Sequence, residues 1–440
     1  MMKQLRIFGI LFFLFIAINA RSQQLLTVEQ AVAAAIENNY DIQLLKNDSA
    51  LAALNNSYAY AALLPRLNAN TGIIFNNNNT RQKLADGTER KLGGIKSNNI
   101  NASINLNWTI FDGFKMFATR DKLAEILRLG ELNIKNQLVN TVADVIKTYY
   151  AIVRQKQQLI AIEEQMSLND ERVTQAEKKL SVGLGAKPEL LQAKVDLNAQ
   201  KAARLKQQTL IDQLKEQLNQ LMLMARETRY EVADSIPVKN DLVITDILQA
   251  SEINSPQLLV AKQNIKIAQL TLKERNAEKY PTLSFNSAYN FFRSENKLVV
   301  NTFTPLLNRN LGFNYGLSAA IPIFNGFNVK RQIKAAQLDI DYQTIFYNYQ
   351  KWKIDIAISN AFKDYELQKK TLKLEEENIL LAKENVYIAS ERLRLGVTTY
   401  LELRETQKSL EDAYNRLIAA RYDIKLAETE LLRLKGELVR

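Results

Sequence analysis

Residues 98–111 alternate between apolar and polar side chains at nearly every position. The even positions are apolar and the odd ones carry amides or hydroxyls: Ile100, Ala102, Ile104, Leu106, Trp108 and Ile110 against Asn99, Asn101, Ser103, Asn105, Asn107 and Thr109. Because a strand directs successive side chains to opposite faces, this segment predicts a strand with one apolar and one amide-lined face. Most of the remaining sequence predicts helix, so the strand is the strongest constraint on the fold.

Three further segments, at about 67–77, 282–292 and 311–323, show related alternation. Strands of about ten residues are long enough to cross a bilayer at a tilt, and aromatic residues near strand ends are typical of its interfaces. The polar stretches 76–99 and 293–310 are interpreted as long exterior loops. The four segments therefore predict membrane strands with loops between them.

Four strands cannot close a barrel, and an open sheet edge is not tolerated in lipid. We therefore expect several copies of the chain to pool their strands. Two copies would give eight strands and an interior filled by side chains, whereas three would give twelve and room for water. The amide-lined face favours three.

The sequence is a tandem duplication. "IFDGF" at 110–114 returns as "IFNGF" at 323–327, and "LSVGL" at 180–184 returns as "LRLGV" at 393–397. Each copy predicts a helix, two strands, a long helix, a tip and a returning helix. The predicted division begins with a signal peptide at 1–22 and a first repeat at 23–224, which contains strands at about 67–77 and 99–111, a long helix at 114–182 and a return helix at 188–224. A linker at 225–248 leads to a second repeat at 249–440, which contains strands at about 282–292 and 311–323, a long helix at 327–395 and a return helix at 399–436.

The long helices are predicted from the near absence of helix breakers. Residues 327–395 contain neither Gly nor Pro, and 114–182 contain only Gly130. Such a run predicts a helix on the order of 100 Å long. Apolar residues recur in it by threes and fours, which indicates a coiled-coil seam: Leu138, Val142, Val145, Tyr149 and Ile152.

Composition and the N-terminus exclude several classes of protein. Lys3 and Arg6 precede an apolar run and then small residues, as in a secretory signal peptide cleaved after Ala20 or Ser22. The chain has no His and no Cys, which removes thiol nucleophiles, zinc–thiolate sites and every His-based acid, base or metal ligand. We expect no metal, no cofactor and no enzymatic activity. Basic and acidic residues mix along the same helices, which argues against nucleic-acid binding.

The order of parts, the paired "FDGF" and "FNGF", and the tips "VGLGAKPELLQA" and "LGVTTYLELRET" resemble those of TolC-like outer-membrane efflux proteins over roughly residues 25–437. The resemblance implies a mainly α chain with a membrane β part, in which the linker at 225–248 is equatorial. Three copies would join long coiled-coil helices into an α-barrel tunnel through the periplasm and four strands each into a shared 12-stranded outer-membrane barrel. It also implies a passive exit duct for drugs, metal ions or proteins, docked through a periplasmic adaptor to an RND-type or ABC pump of the inner membrane.

Three groups of residues are candidates for function. The lipid-facing group is predicted from the alternation: Ile104, Leu106, Trp108, Phe313, Tyr315 and Leu317. The resemblance implies adaptor-docking tips at Gly183, Leu184, Gly396 and Val397, and acidic rings at a periplasmic gate formed by Glu402, Glu405 and Glu189. Thr398 stands where some members carry an Arg that latches the gate.

Two other classes stay open at this stage. An exported periplasmic coiled-coil adaptor or scaffold without a pore would explain the helices, but not four bilayer-length strands placed symmetrically in two repeats. An exported enzyme based on Ser, Lys or carboxylates has no recognisable constellation of residues, and "LGGIKS" at 92–97 lacks the Gly-Lys junction of a phosphate-binding loop.

Overall fold

The computed structural model describes residues 24–225, 230–238, 242–299 and 303–439. The predicted signal peptide at 1–22 lies outside these residues, as do parts of the predicted linker at 226–229 and 239–241. No helix in the described ranges is both long enough and apolar enough to cross a membrane. The mainly helical fold with a small strand content is confirmed.

The elements follow the same order in the two halves of the chain, apart from two short strands. In sequence they are β1 (Gln24–Leu26), α1 (Val28–Asn38), α2 (Tyr40–Ser57), β2 (Arg66–Lys83), β3 (Glu89–Phe111), α3 (Lys115–Ser181), α4 (Lys187–Met222), β4 (Tyr230–Val232), α5 (Ile244–Asn254), α6 (Pro256–Ala277), β5 (Thr282–Asn296), β6 (Leu307–Ala320), α7 (Asn328–Arg394) and α8 (Tyr400–Lys435).

The chain forms two compact units that do not follow the repeat boundaries. The first takes the described residues up to 47, 131–260 and 348–439, and the second takes 48–130 and 261–347. Each unit therefore contains residues from both repeats.

The first unit has its main core where α1, α3 and α4 meet the short parallel pair β1 and β4. Val142, Val145, Tyr149 and Ile152 of the predicted seam are buried, whereas Leu138 is half-buried. The Tyr149 hydroxyl donates to Leu26 O at 2.8 Å and accepts from Ala233 N at 3.0 Å. Burial raises the pKa of the neighbouring Tyr150 to about 12. Tyr149 therefore connects α3 to the C-terminal ends of both β1 and β4, two strands that the sequence did not predict.

The second unit contains a four-stranded antiparallel sheet in the order β2-β3-β5-β6. The stretch 76–99 is mostly strand, so its prediction as a loop was wrong. In the stretch 293–310, strand occupies 293–296 and 307–310, so the predicted loop is too long at both ends. The β2–β3 hairpin stays paired out to Lys83 and Glu89, and a turn containing Asp86 and Gly87 closes it. The Asp-Gly pair is a strong signal for a hairpin turn. Apolar–polar alternation, in contrast, cannot identify strands that are polar on both faces.

The single helix predicted before each strand pair is two helices in both halves of the chain. In the first half, Asn39 Oδ1 accepts from the backbone N–H groups of Asp41 and Ile42, which caps α2. In the second half, Ser255 precedes Pro256 and has extended backbone angles, as expected because proline disfavours the helical region in the residue before it. Strand β6 ends at Ala320, earlier than the predicted 323, and Pro322 follows it.

The repeated "IFDGF" and "IFNGF" motifs form the turn from strand to long helix. Gly113 has φ of 72°, and a Cβ there would lie 2.4 Å from Ala277 O. Phe114 also has positive φ and packs edge-on against Phe111 with ring centroids 5.2 Å apart. The second copy has the same ring arrangement between Phe324 and Phe327, at 5.4 Å. The motif recurs because both turns need the same unusual backbone.

Candidate functional site

The sheet of the second unit has one apolar face, set by its register. Ile104 lies opposite Ala69 on one side and Tyr289 on the other, and Tyr289 lies opposite Phe313. The next two rows on this face, in the direction of the long helices, contain the other predicted lipid-facing residues: Leu106 with Tyr315, and Trp108 with Leu317. Leu317 is 77% exposed and Phe313 is 66% exposed in the single chain. The six residues therefore share a single apolar face.

The opposite face of the same sheet is polar. Asn105 lies opposite Asn68 on β2, and its row reaches Asn314 on β6. The Asn105 side chain donates to Ser103 Oγ at 2.9 Å, which links two positions of this face. Gly312 and Gly316 occupy the same face of β6. Amides, hydroxyls and glycines thus predominate on one face of strands whose other face is mainly apolar.

Both outer strands of this sheet have an unpaired edge. Among the described residues, β2 pairs only with β3, and β6 pairs only with β5. These edges are long, at 18 residues for β2 and 14 for β6. A long edge with apolar side chains is a template for pairing with another strand.

In the first unit, the two predicted tips have identical backbone geometry. Gly183 and Gly396 have φ of 77° and 75°. In the first tip, Leu184 N donates to Lys179 O at 2.9 Å and Gly183 N donates to Leu180 O at 3.1 Å. Val397 and Gly396 make the corresponding bonds at the second tip with the same lengths. These are the two hydrogen bonds that end a helix at a left-handed glycine.

The tips expose apolar side chains although the helices behind them pack together. Leu184 is 82% exposed and Val397 is 64% exposed. Behind the first tip, Val173, Ala193 and Leu197 form a small buried cluster between α3 and α4. Behind the second, Ala389, Leu393 and Leu403 do the same between α7 and α8. The hairpins are thus held by their own packing, and the side chains at their ends remain uncovered in the single chain.

The predicted gate residue Glu402 has partners within its own hairpin. Arg392 Nη1 donates to one carboxylate oxygen at 2.7 Å, and the Thr398 hydroxyl donates to the other. Sequence reasoning singled out Thr398 but missed Arg392. Residues 392 and 402 are equally far from Val397, so the antiparallel hairpin itself predicts that they meet.

Glu405 and Glu189 lie in different surroundings from Glu402. Glu405 lines an open polar groove between α3, α4 and α8, together with Arg404 and Lys408. Glu189 lies exposed in the first turn of α4, where an acidic side chain interacts favourably with the helix dipole. The three predicted carboxylates therefore all lie near the tips, but each has its own environment in the single chain.

A buried ion cluster in the same groove was not predicted. Asp196 on α4 accepts hydrogen bonds from Arg172 on α3 and from Gln192, the latter at 2.9 Å. Arg404 on α8 reaches the same carboxylate at 3.3 Å. The Arg172 side chain is 6% exposed. Asp196 thus connects three helices, and no spacing along one helix could reveal a contact that depends on how the three helices are rotated.

A second ion cluster lies on α8 near its C-terminal end. Arg433 donates two hydrogen bonds to the Glu430 carboxylate, at 2.6 and 3.0 Å, and Lys147 of α3 contributes a third at 3.3 Å. The hydrogen bond from Arg433 is the main cause that lowers the pKa of Glu430. This cluster connects α8 to α3 within the first unit.

The chain is similar to known outer-membrane efflux proteins over most of its length. The family model described as outer membrane efflux protein matches residues 31–223 and 247–437. The outer membrane efflux protein BepC of Brucella suis biovar 1 (strain 1330) is 21% identical over 433 residues, which is 94% of this chain and 86% of BepC.

Solved structures of outer-membrane channels share the fold. The outer membrane protein VceC of Vibrio cholerae superposes with a TM-score of 0.77 at 15% identity, over 93% of this chain and 96% of VceC. The outer-membrane channel MtrE of Neisseria gonorrhoeae, solved in an open state, gives a TM-score of 0.73 at 15% identity, over 93% and 89%. With two model matches that together span most of its length, the chain belongs to the outer membrane efflux protein family.

Proposed function

We propose that three copies of this chain form a passive exit duct, with a shared 12-stranded barrel in the outer membrane and a helical tunnel in the periplasm. The observation that carries the proposal is the sheet of the second unit. One of its faces is mainly apolar and the other mainly polar, and both edge strands lack a partner among the described residues. Neither property suits a sheet that functions alone.

Joining the β6 edge of one copy to the β2 edge of the next removes every open edge at once. The apolar face with Ile104 and Phe313 then faces lipid, and the asparagine face with Asn105 and Asn314 faces water. Twelve strands leave space for water, whereas eight enclose an interior filled by side chains. The amide-lined face therefore supports three copies over two.

A periplasmic adaptor or scaffold without a pore is the alternative. It would account for α3, α4, α7 and α8. However, such a protein has no use for strands of 14 to 23 residues with an apolar outer face. Membership of the outer membrane efflux protein family also supports the duct over the adaptor.

The tips support a role in docking. Leu184 and Val397 extend from glycine-terminated hairpins and are uncovered in the single chain. We propose that they contact a periplasmic adaptor, which connects the duct to an RND-type or ABC pump of the inner membrane. No phosphate-binding loop was recognised in the sequence, so the energy for export is assigned to the pump.

The acidic residues near the tips support a gate. In a threefold assembly, each of Glu402, Glu405 and Glu189 becomes a ring of three carboxylates, and such rings favour cations. Arg392 and Thr398 hold Glu402 within its hairpin. We assign Arg392 the role of restraining this carboxylate when the gate is closed.

Oligomeric mass and single-channel recording test these proposals. The mature protein should purify in detergent as a trimer and conduct cations preferentially in planar bilayers. The double variant Glu402→Gln, Glu405→Gln should assemble normally and lose much of its cation preference. As a control, Glu37→Gln, Glu252→Gln removes two exposed acids outside the tips and should leave selectivity unchanged.

Each proposal has its own contrary result. A folded monomer that keeps its full strand content would contradict the shared barrel. An assembled double variant with unchanged selectivity would contradict the gate and leave the barrel standing.

A further inference from the structure

A cluster of cations lies on the apolar face of the sheet near the hairpins. The row of Ile73 and Ile100 is continued by Arg293 on β5 and Arg309 on β6, and the next row on this face is mixed, with Phe75 and Leu307 on the outer strands and Asn98 and Glu295 between them. Two rows closer to the hairpins, Lys96 occupies the same face of β3. All three cationic side chains are exposed.

The two arginines are direct cross-strand neighbours, and like charges in that position are destabilising. Arg293 has partial compensation from Glu295, whose carboxylate lies 3.0 Å from its guanidinium. Arg309 stacks over the Phe291 ring at 5.5 Å. Within the described part of the chain, no carboxylate forms an ion pair with Arg309 or Lys96. Three cations thus face one carboxylate, which leaves an excess of positive charge.

The depth of this cluster can be worked out from the strand. Phe111, the last residue of β3, lies eleven residues along the strand from Ile100. At about 3.3 Å per residue and a tilt of about 40°, this stretch spans roughly 28 Å along the membrane normal. The apolar band of an outer-membrane barrel is about 25 Å tall. The Arg293–Arg309 pair therefore lies where the hydrocarbon ends and the headgroups begin.

We propose that Lys96, Arg293 and Arg309 form a binding surface for the phosphate group of an anionic lipid headgroup, in the leaflet next to the hairpins. The inference rests on the proposed barrel, because it requires that the apolar face contact lipid. A guanidinium binds phosphate oxygens through two parallel hydrogen bonds. A phosphate between the two arginines would remove their repulsion and leave the Phe291 ring in the hydrocarbon below.

Native mass spectrometry of the mature protein in detergent tests this surface. The probes are lipid A, phosphatidylglycerol, phosphatidylcholine and inorganic phosphate. The assembled wild type should retain lipid A and phosphatidylglycerol in preference to phosphatidylcholine. Each arginine removed should lower that retention about fivefold, the contribution of one basic side chain at an anionic surface. The double variant Arg293→Gln, Arg309→Gln should therefore lose about 25-fold.

Two further variants sharpen the test. Glu295→Gln removes the one carboxylate of the cluster and should raise retention of the anionic lipids. Arg66→Gln removes an exposed strand arginine from the polar face at the opposite end of the sheet, and should change nothing.

The contrary outcomes are distinct. Equal retention of phosphatidylglycerol and phosphatidylcholine by the wild type would overturn the inference, without reference to any variant. So would unchanged retention in the double variant, or displacement of the lipids by inorganic phosphate at equal concentration, which would indicate a free-phosphate site. An assembled trimer without lipid preference refutes only this inference, whereas a monomer mass for the wild type refutes the proposed barrel as well.

Discussion

A charge at Ile104 gives the most direct test of which face of the sheet meets lipid. By the spacing used above, Ile104 lies seven residues from Phe111 and four from Ile100, which places it within about 4 Å of the middle of the apolar band. An arginine facing lipid near the midplane costs about 2–4 kcal/mol. Three copies in one trimer make this about 6–12 kcal/mol, a factor of at least about 10⁴ in the assembly equilibrium. Ile104→Arg should therefore abolish the trimer.

The next residue along the strand provides the matched control. Asn105 faces Asn68 and the other amides of the polar face, so an arginine there remains in water. Substitutions at such positions usually change stability by no more than about 0.5 kcal/mol, and Asn105→Arg should assemble like the wild type. Ile104→Leu keeps the apolar character and should also assemble, which separates the effect of charge from that of shape.

The assay is the fraction of assembled protein in outer-membrane extracts, measured on gels with and without heating and checked by size-exclusion chromatography. Loss of the assembled species only in Ile104→Arg is the expected result. If Ile104→Arg and Asn105→Arg lose it equally, the two faces are not distinguished by their surroundings. If only Asn105→Arg loses it, the faces are reversed and the reasoning is refuted.

Three other predictions concern the folded chain and use thermal unfolding of the assembled protein. Gly183→Ala should cost about 1 kcal/mol because of its positive φ, whereas Gly113→Ala should cost more because its Cβ also collides with a backbone carbonyl; equal losses would contradict the role given to the collision. Tyr149→Phe leaves a backbone N–H and a carbonyl without their partner and should cost about 1–3 kcal/mol, with faster proteolysis at the N-terminal strand; unchanged proteolysis would count against this. Because Arg433 lowers the pKa of Glu430, that carboxylate stabilises the fold above the ordinary glutamate pKa, and the contribution is lost as pH falls through the lowered value. Glu430→Gln should therefore destabilise at neutral pH and show a smaller further loss in acid than the wild type does, and parallel pH curves would argue against the linkage.

Features that depend on near neighbours along the chain could be predicted from the sequence. The long helices run over Lys115–Ser181 and Asn328–Arg394, against predicted bounds of 114–182 and 327–395. Glycine and proline interrupt a helix at their own positions. A long stretch without them therefore predicts a helix, and the next such residue predicts where it ends. The alternation around Ile104 likewise assigned each side chain to a face, because the period of a strand is two whatever surrounds it.

Contacts between elements were decided only by the tertiary structure. The pairing of β3 with β5 brings Arg293 and Arg309 into the row of Ile100, and no local pattern shows that. The sequence predicts a loop over 76–99, where the structure has hairpin arms, because a strand that is polar on both faces is specified by its partner strand and not by its own periodicity. Asp196 meets arginines from two other helices, and charged positions on a long amphipathic helix look alike until the helices are packed. The sequence by itself thus determined the long helices and the faces of the alternating strands, whereas register and helix rotation, which arise from contacts distant along the chain, determined the polar hairpin arms and which side chains meet.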